Sequence, residues 1–191
     1  MFNNKKRIVI WAALMVLLFT GQAMAQTKVL GFQLGKDTYK QVKANLPQAA
    51  KITNAYANAY TGGPGFVTDG TGYGVEELRV VKFEFDKNQK LADVNIVMES
   101  RRLNDLKKIL SSKYKLGRSE YPEIFLLFKA NRDYVYLYLP QDNEFAVRYM
   151  TGAVYLLNEQ MVRQSAAKKK TQELENLKAL DREALQERDK F

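Results

Sequence analysis

Two stretches in the middle of the chain alternate between apolar and polar residues, as strands with one buried face do. In Leu78–Phe85 the apolar side carries Val81 and two phenylalanines. In Leu91–Met98 the apolar side carries valine, isoleucine and methionine. The polar segment 86–90 between them has the composition of a hairpin loop. The pattern therefore predicts two antiparallel strands joined by a short turn.

Two other stretches space their apolar residues three and four apart, which predicts amphipathic helices. The first begins after Thr38, which together with Gln41 has the spacing of a capping box, and it ends before Pro47. The second runs from Leu103 to Tyr114, and Gly117 follows where a helix stop is expected.

Further strands are predicted around the two helices. A short opening strand covers Val29–Phe32, and Ile52–Tyr60 follows the first helix. Three strands follow the second helix: Glu123–Lys129, Tyr134–Leu139 and Glu144–Tyr149. The simplest summary is a helix followed by a three-stranded antiparallel meander, twice over. We therefore expect an α+β domain (αβββ twice) over residues 26–155, with the helices on one face of the sheet.

Residues 156–191 have a different character and predict a charged C-terminal helical tail. Leu174, Leu177, Leu180 and Leu185 fall along one side of that helix, but 163–173 contains no large aliphatic residue. Two interpretations remain open. The tail is either solvated and partly frayed, or it self-associates or docks onto a partner through its leucines.

Residues 1–25 have the three parts of a secretory signal peptide. A basic patch at Lys5–Arg7 precedes the apolar run Ile8–Phe19, and Ala23-Met24-Ala25 supplies the small residues of a cleavage site. The apolar run is too short to span a membrane, and no cysteine follows it that could carry a lipid. We expect cleavage after Ala25, a periplasmic or secreted location, and no transmembrane segment in the mature chain.

Composition and charge narrow the possible partners and chemistry. The chain has 191 residues, of which 46% are hydrophobic, enough for a real core. Removing the three positive charges of the leader lowers the net charge from +9 to +6, so an exported chain of this charge has little reason to meet nucleic acid. We therefore expect no nucleic-acid partner.

The chain also contains no histidine and no cysteine. This excludes a cysteine nucleophile, a Ser-His-Asp triad, a histidine general base and an ordinary zinc site. Paired carboxylates remain, but the adjacent Glu76 and Glu77 would point to opposite faces of a strand. We expect a protein without enzymatic activity, and we assign it no catalytic residue, no cofactor and no metal.

Glycine is concentrated at 62–65 and 69–74, which predicts a long surface loop. Because binding residues are common on long loops, Gly65, Asp69 and Tyr73 are candidate partner contacts. The alternative is that these glycines only give the backbone freedom to turn.

Tyr134, Tyr136 and Tyr138 occupy alternate positions of one predicted strand, so they share a face. If that face is open, the tyrosine row bordered by Arg132 and Arg148 is a surface for a protein or a glycan. If a helix or the tail covers it, the tyrosines are packing residues. Both interpretations remain open, and these five residues are the candidate partner-binding set.

Two segments carry a resemblance to small exported bacterial modules. The Gly31-Phe32-Gln33-Leu34-Gly35 segment leading into a helix and the hairpin Val81–Leu91 resemble BamE-type outer-membrane assembly lipoproteins and the tandem helix-plus-sheet β-lactamase inhibitor proteins. The resemblance covers residues 29–150 and implies a module that binds proteins and is not an enzyme. The chain lacks the lipidated cysteine of the first group and the cysteines of the second, so neither membrane anchoring nor inhibitor activity is implied.

These observations favour an exported periplasmic protein that binds another envelope protein through its sheet, its loop or its tail. The alternative is a module that binds a glycan or an anionic envelope polymer through the aromatic strand face.

Overall fold

The structure, a computed structural model, describes residues 27–117, 126–141 and 143–188. The predicted leader with its cleavage site at Ala25 lies outside these ranges, as does the start of the strand expected from Glu123. The fold is α+β, as predicted, with a large antiparallel sheet and a long C-terminal helix.

Eight strands form one sheet: β3 (Ile52–Ala57), β4 (Gly62–Asp69), β5 (Leu78–Asp86), β6 (Leu91–Glu99), β7 (Lys115–Leu116), β8 (Leu126–Ala130), β9 (Asp133–Gln141) and β10 (Glu144–Thr151). Their order in the sheet is β3-β4-β5-β6-β10-β9-β8-β7, and every neighbouring pair is antiparallel. Two further short strands, β1 (Lys28–Val29) and β2 (Phe32–Gln33), form a separate hairpin.

The prediction of two three-stranded meanders is wrong. Each of the first two helices, α1 (Tyr39–Ala44) and α2 (Leu103–Lys113), is followed by four strands, and the two sets share a single sheet. The sets meet where β6 pairs with β10, so the second set runs back across the sheet from the opposite edge. The extra strands are β4 and the two-residue β7.

The prediction of a glycine-dense surface loop at 62–65 is also wrong, because this segment belongs to β4. The strand pairs with β3 on one side and β5 on the other, and the side chain of Phe66 is completely buried. Gly65 is required by its neighbour, since a Cβ added there would lie 2.5 Å from a ring carbon of Tyr56. The glycine therefore lets an aromatic ring cross the strand, which composition alone does not indicate.

The core lies between one face of the sheet and the first two helices. Phe66, Phe83 and Phe85 pack there on neighbouring strands, and the ring of Tyr39 in α1 contacts Phe66 and Phe85 edge-on. Leu110 of α2 is buried in the same cluster. This confirms the predicted apolar sides of β5 and β6 and the placement of these two helices on one face.

The predicted capping box at the start of α1 is confirmed. The backbone N–H of Gln41 donates to the Thr38 hydroxyl, and the backbone N–H of Thr38 donates to the Gln41 side-chain oxygen at 2.9 Å. The hairpin of β1 and β2 covers one end of the core, where Phe32 meets Phe83 edge-on.

The C-terminal helix α3 (Gly152–Arg188) starts directly after β10. Its first residue, Gly152, packs against the backbone of the β8–β9 turn. A Cβ added to Gly152 would lie 2.6 Å from the carbonyl oxygen of Arg132. Val154 is buried against the sheet, but every residue from Gln160 to Leu180 is exposed. Within the described part of the chain, no helix combines the length and apolar character needed to cross a membrane.

The assignment of β4 as a core strand can be tested by removing its buried ring. We expect Phe66→Ala to lower the free energy of unfolding by about 3–5 kcal/mol, because it leaves a cavity among packed phenylalanines. Val67→Ala, on the other face of the same strand and only half-buried, is the matched control and should cost under about 1.5 kcal/mol. Urea unfolding monitored by circular dichroism measures both, and equal small losses would contradict the assignment.

Candidate functional site

The sheet face opposite the first two helices carries a compact group of charged and polar side chains, which we call the polar face. It is formed by Lys82 and Glu84 of β5, Asp93 and Asn95 of β6, and Arg148 of β10. The strand register makes them neighbours, since Glu84 lies opposite Asp93 and Asn95 lies opposite both Lys82 and Arg148. These residues alternate along their strands with the phenylalanines and valines of the core.

Arg148 forms the central contact of the polar face. Its Nε and Nη2 atoms each lie 2.6 Å from Oδ2 of Asp93, and Nη2 lies 4.0 Å from Oε2 of Glu84. Lys82 forms a second ion pair with Glu84. Asp93 is 1% exposed and Glu84 is 5% exposed, so the two buried carboxylates are balanced by the two positive charges of Lys82 and Arg148. Such pairing is what permits charged side chains to be buried.

Burial raises the pKa of the Asp93 carboxyl to about 6. The Arg148 guanidinium opposes this shift, whereas the negative charge of Glu84 adds to it. The other carboxylate oxygen, Oδ1 of Asp93, has no hydrogen-bond partner among the described residues, and neither has Oδ1 of Asn95. The fold therefore holds Asp93 in an unfavourable setting when it is ionised.

Tyr56 of β3 closes one side of the polar face. Its ring lies across Gly65, and its hydroxyl donates to Oε1 of Glu84 at 2.9 Å. Nζ of Lys82 lies 5.3 Å from the centre of the same ring, a cation–π distance. Burial and the neighbouring Glu84 both raise the pKa of the Tyr56 hydroxyl, so it stays protonated as a donor.

The predicted tyrosine row lies on the polar face and meets the first turns of α3. The rings of Tyr134 and Tyr155 stack with their centres 3.7 Å apart and their planes 11° apart, and Tyr136 lies 6.0 Å from Tyr155. Tyr138 accepts a hydrogen bond from the Asn95 side-chain amide at 3.0 Å. All three tyrosines of the row are half-buried, so packing accounts for much of their surface. A glycan-binding role for the row stays a prediction.

The two arginines of the predicted set have different positions. Arg148 is engaged with Asp93, as described above, and three quarters of its side-chain surface is covered. Arg132 lies exposed in the turn between β8 and β9, next to the start of α3. They therefore do not form a common basic border around the tyrosines.

The three residues predicted in the glycine-dense loop do not form one surface. Gly65 and Asp69 belong to β4, and Asp69 accepts backbone hydrogen bonds from Lys51 and Thr71. Tyr73 lies in the β4–β5 connection, where its ring packs against the core and its hydroxyl is 2.8 Å from that of Thr68. The sequence pattern groups them because a high glycine density is typical of an irregular loop.

Sequence reasoning missed Tyr56, Lys82, Glu84 and Asp93 as members of one cluster. The available signal was a charged residue at alternate positions of two strongly apolar strands joined by a short turn. The carboxylates that converge are Glu84 and Asp93, not the adjacent pair at 76 and 77. They are too thoroughly covered in this conformation for a substrate to reach them. Within the described ranges no group of three or more metal-ligating residues could hold an ion.

The part of α3 beyond the tyrosines carries large apolar side chains into solvent. Leu174 is 53% exposed, and Leu177 and Leu180 are each 60% exposed. Leu156, Met161 and Val162 are also exposed. Leu174, Leu177 and Leu180 lie at successive spacings of three, so they occupy one side of the helix, which we call the leucine side.

The chain matches no family model, no curated protein and no solved structure. The resemblance to exported protein-binding modules therefore stays a prediction, and the candidate site has to be interpreted from its own geometry.

The raised pKa of Asp93 predicts a distinctive pH dependence. Because the folded state binds this proton up to pH about 6 and the unfolded chain releases it near 4, the contribution of Asp93 to stability falls as the pH rises between these values. The unfolding free energy of the wild type, taken relative to Asp93→Asn, should drop by about 2.5 kcal/mol from pH 4 to pH 7.

Urea unfolding at several pH values measures this difference. Asp105→Asn, at an exposed carboxylate on α2, is the control for general charge effects. A wild-type minus Asp93→Asn difference that is flat, or that grows as the pH rises, would contradict the burial argument.

Proposed function

We propose that this protein is exported to the periplasm and acts without enzymatic chemistry by binding another envelope protein through α3. The observation that carries the proposal is the exposure of the leucine side, Leu174, Leu177 and Leu180, in the C-terminal half of α3. Three leucines in solvent at helical spacing are costly, because burying a leucine side chain is worth roughly 1.5–3 kcal/mol. An apolar surface that a folded domain leaves open is typical of a protein-interaction site.

The way α3 is held supports the same function. Its first turns are fixed to the sheet by Val154, by the Tyr134–Tyr155 stack and by the Tyr60 hydroxyl, which donates to the Val154 carbonyl at 3.3 Å. Every residue from Gln160 to Leu180 is exposed, so this part of the helix lacks the packed face from which helices gain most of their stability. A partner helix or groove would supply that face.

The charges on α3 favour a protein as the partner. Lys168–Lys170 precede the leucine side, and Glu173 and Glu175 flank Leu174, so basic and acidic groups lie on the same stretch of the helix. A helix that lies on an anionic membrane usually has a polar face dominated by lysine and arginine. Mixed charge around an apolar strip is instead the arrangement of helix–helix contacts.

Export is the first part of the proposal to test. We expect the protein isolated from cells to begin at Gln26, because the small residues at 23 and 25 fit the cleavage site. Replacing Ala25 by arginine should leave an uncleaved, membrane-associated precursor. Cell fractionation followed by intact-mass spectrometry measures the location of the protein and its first residue. A wild-type chain in the cytoplasm that still begins at Met1 would contradict export.

The binding role of α3 is tested by changing the leucine side alone. Leu174, Leu177 and Leu180, all changed to glutamine, should reduce the yield of a specific cross-linked envelope partner at least tenfold and leave the melting temperature of the sheet domain unchanged. The control changes Gln172→Ala, Asn176→Ala and Ala179→Gln on another side of the helix. Cross-linking in envelope extracts with quantitative mass spectrometry measures both. If the two triple variants recover the same proteins in equal amounts, the leucine side is not the binding surface.

A further inference from the structure

Thr27 is buried although it lies only two positions after the predicted cleavage site at Ala25. It is 6% exposed, and it would be the second residue of the mature chain. The first residues of a domain are usually poorly ordered unless contacts hold them in place. Here at most one residue, Gln26, separates the predicted leader from the first buried side chain.

Hydrogen bonds fix both backbone groups of Thr27. Its N–H donates to Oδ2 of Asp133 at 3.3 Å, and its carbonyl accepts from the N–H of Leu34 at 3.0 Å. Its hydroxyl also donates to the carbonyl of Ala130 at 3.5 Å. Asp133 and Ala130 belong to β9 and β8, more than 100 residues further along the chain. The backbone beside the cleavage site is therefore attached to the second half of the sheet.

The hairpin of β1 and β2, which follows Thr27 directly, is part of the core. Val29 and Phe32 of the hairpin and Leu34 after it are each no more than 6% exposed. The ring of Phe32 meets that of Phe83 edge-on with the ring centres 5.6 Å apart. Lifting Thr27 from the domain would therefore also loosen a hairpin that contributes to the core.

A peptidase that removes the leader has to bind the chain on both sides of the bond between Ala25 and Gln26. Enzymes that bind a peptide segment in extended form use its backbone N–H and C=O groups. In the folded domain those groups of Thr27 are already bonded, and its side chain is covered. Cleavage of the folded chain therefore requires local opening, and its rate follows the small population of open molecules.

We propose that the leader is removed before β1 joins the domain, and that folding then closes the cleavage site through the bond of Thr27 to Asp133. The chain crosses the membrane and is cut while its first residues are still extended. A precursor that folds first keeps its leader. This inference rests on the proposed export, but it does not depend on the binding role of α3.

The order of the chain leaves time for this sequence of events. During export the N-terminal segment emerges first, whereas the partners of Thr27 on β8 and β9 follow more than 100 residues later. Until Ala130 and Asp133 arrive, Thr27 has neither of the two acceptors that hold it. The cleavage site therefore stays accessible until the second half of the sheet forms.

The main test compares the cleavage of two precursors, both synthesised without membranes, folded in mild detergent and incubated with purified signal peptidase. One is the wild-type chain, and the other carries about six glycine and serine residues between Gln26 and Thr27 as a flexible spacer. The folded spacer variant should be cut roughly tenfold faster than the folded wild type, because its cleavage needs no opening. When both are denatured and diluted directly into the peptidase, their initial rates should be equal. Intact-mass spectrometry measures the cut fraction.

A second test releases the attachment point without changing the leader. Asp133→Ala removes the acceptor of the Thr27 N–H and should speed the cleavage of the folded precursor. Asp69→Ala is the matched control, because Asp69 also accepts backbone hydrogen bonds but belongs to β4, in the other half of the sheet. Circular dichroism confirms that the variants are folded under the conditions of the cleavage assay.

Equal cleavage rates for the folded wild type and the folded spacer variant would overturn the proposal. Equal rates for Asp133→Ala and Asp69→Ala would overturn the role of Asp133 in closing the site. If the peptidase cuts neither precursor after Ala25 even from the denatured state, the predicted leader is wrong, and the export proposal fails together with this inference.

Discussion

The pairing of β6 with β10 holds the two halves of the molecule together. The halves are far apart along the chain, yet seven residues of β10, Glu144–Met150, lie in continuous register with β6. On one face this register continues the core from the strands behind α1 to those behind α2. On the other it sets Arg148 beside Asn95, within reach of Asp93. Without this ladder, each half would expose a long central edge and keep only part of a core.

The polar face depends on that junction and gives it specificity. Arg148 comes from β10, whereas Asp93 and Glu84 come from the other half of the chain. Burying these charges costs free energy that their mutual attraction only partly offsets, and losing one partner would leave an uncompensated charge. A slip of one residue between β6 and β10 would turn Arg148 into the apolar core and separate it from Asp93. We interpret the cluster as a group that selects one register.

The same arrangement explains why α3 leaves the domain where it does. β10 ends beside β9, and the tyrosines of β9 receive Tyr155 from the first turn of the helix. Beyond Glu159, every residue of the helix as far as Leu180 is exposed. The helix therefore extends with its leucines in solvent. The edge strand β3 lies in the other half of the sheet from β9 and β10.

Much of the fold follows from local pattern. The alternation in β5 and β6, the capping box of α1 and the periodicity of α2 arise from neighbouring residues, and each predicted the correct element. β4 was missed because glycine and proline are poor strand formers, and only the pairing on both sides makes a strand of 62–69. Gly65 leaves free the space that the ring of Tyr56, on the neighbouring strand β3, occupies.

The amino-acid sequence by itself determined which sides of β5 and β6 face the core, where the helices begin and which catalytic groups the chain lacks. Those properties depend on residue type and on the spacing of residues close in sequence, so they do not require knowledge of contacts between distant segments. The tertiary structure decided the order of the eight strands, the meeting of Asp93, Glu84 and Arg148, and the covering of the tyrosine row by Tyr155. These depend on contacts between segments tens of residues apart, whose free energy comes from pairing and burial that no local pattern encodes.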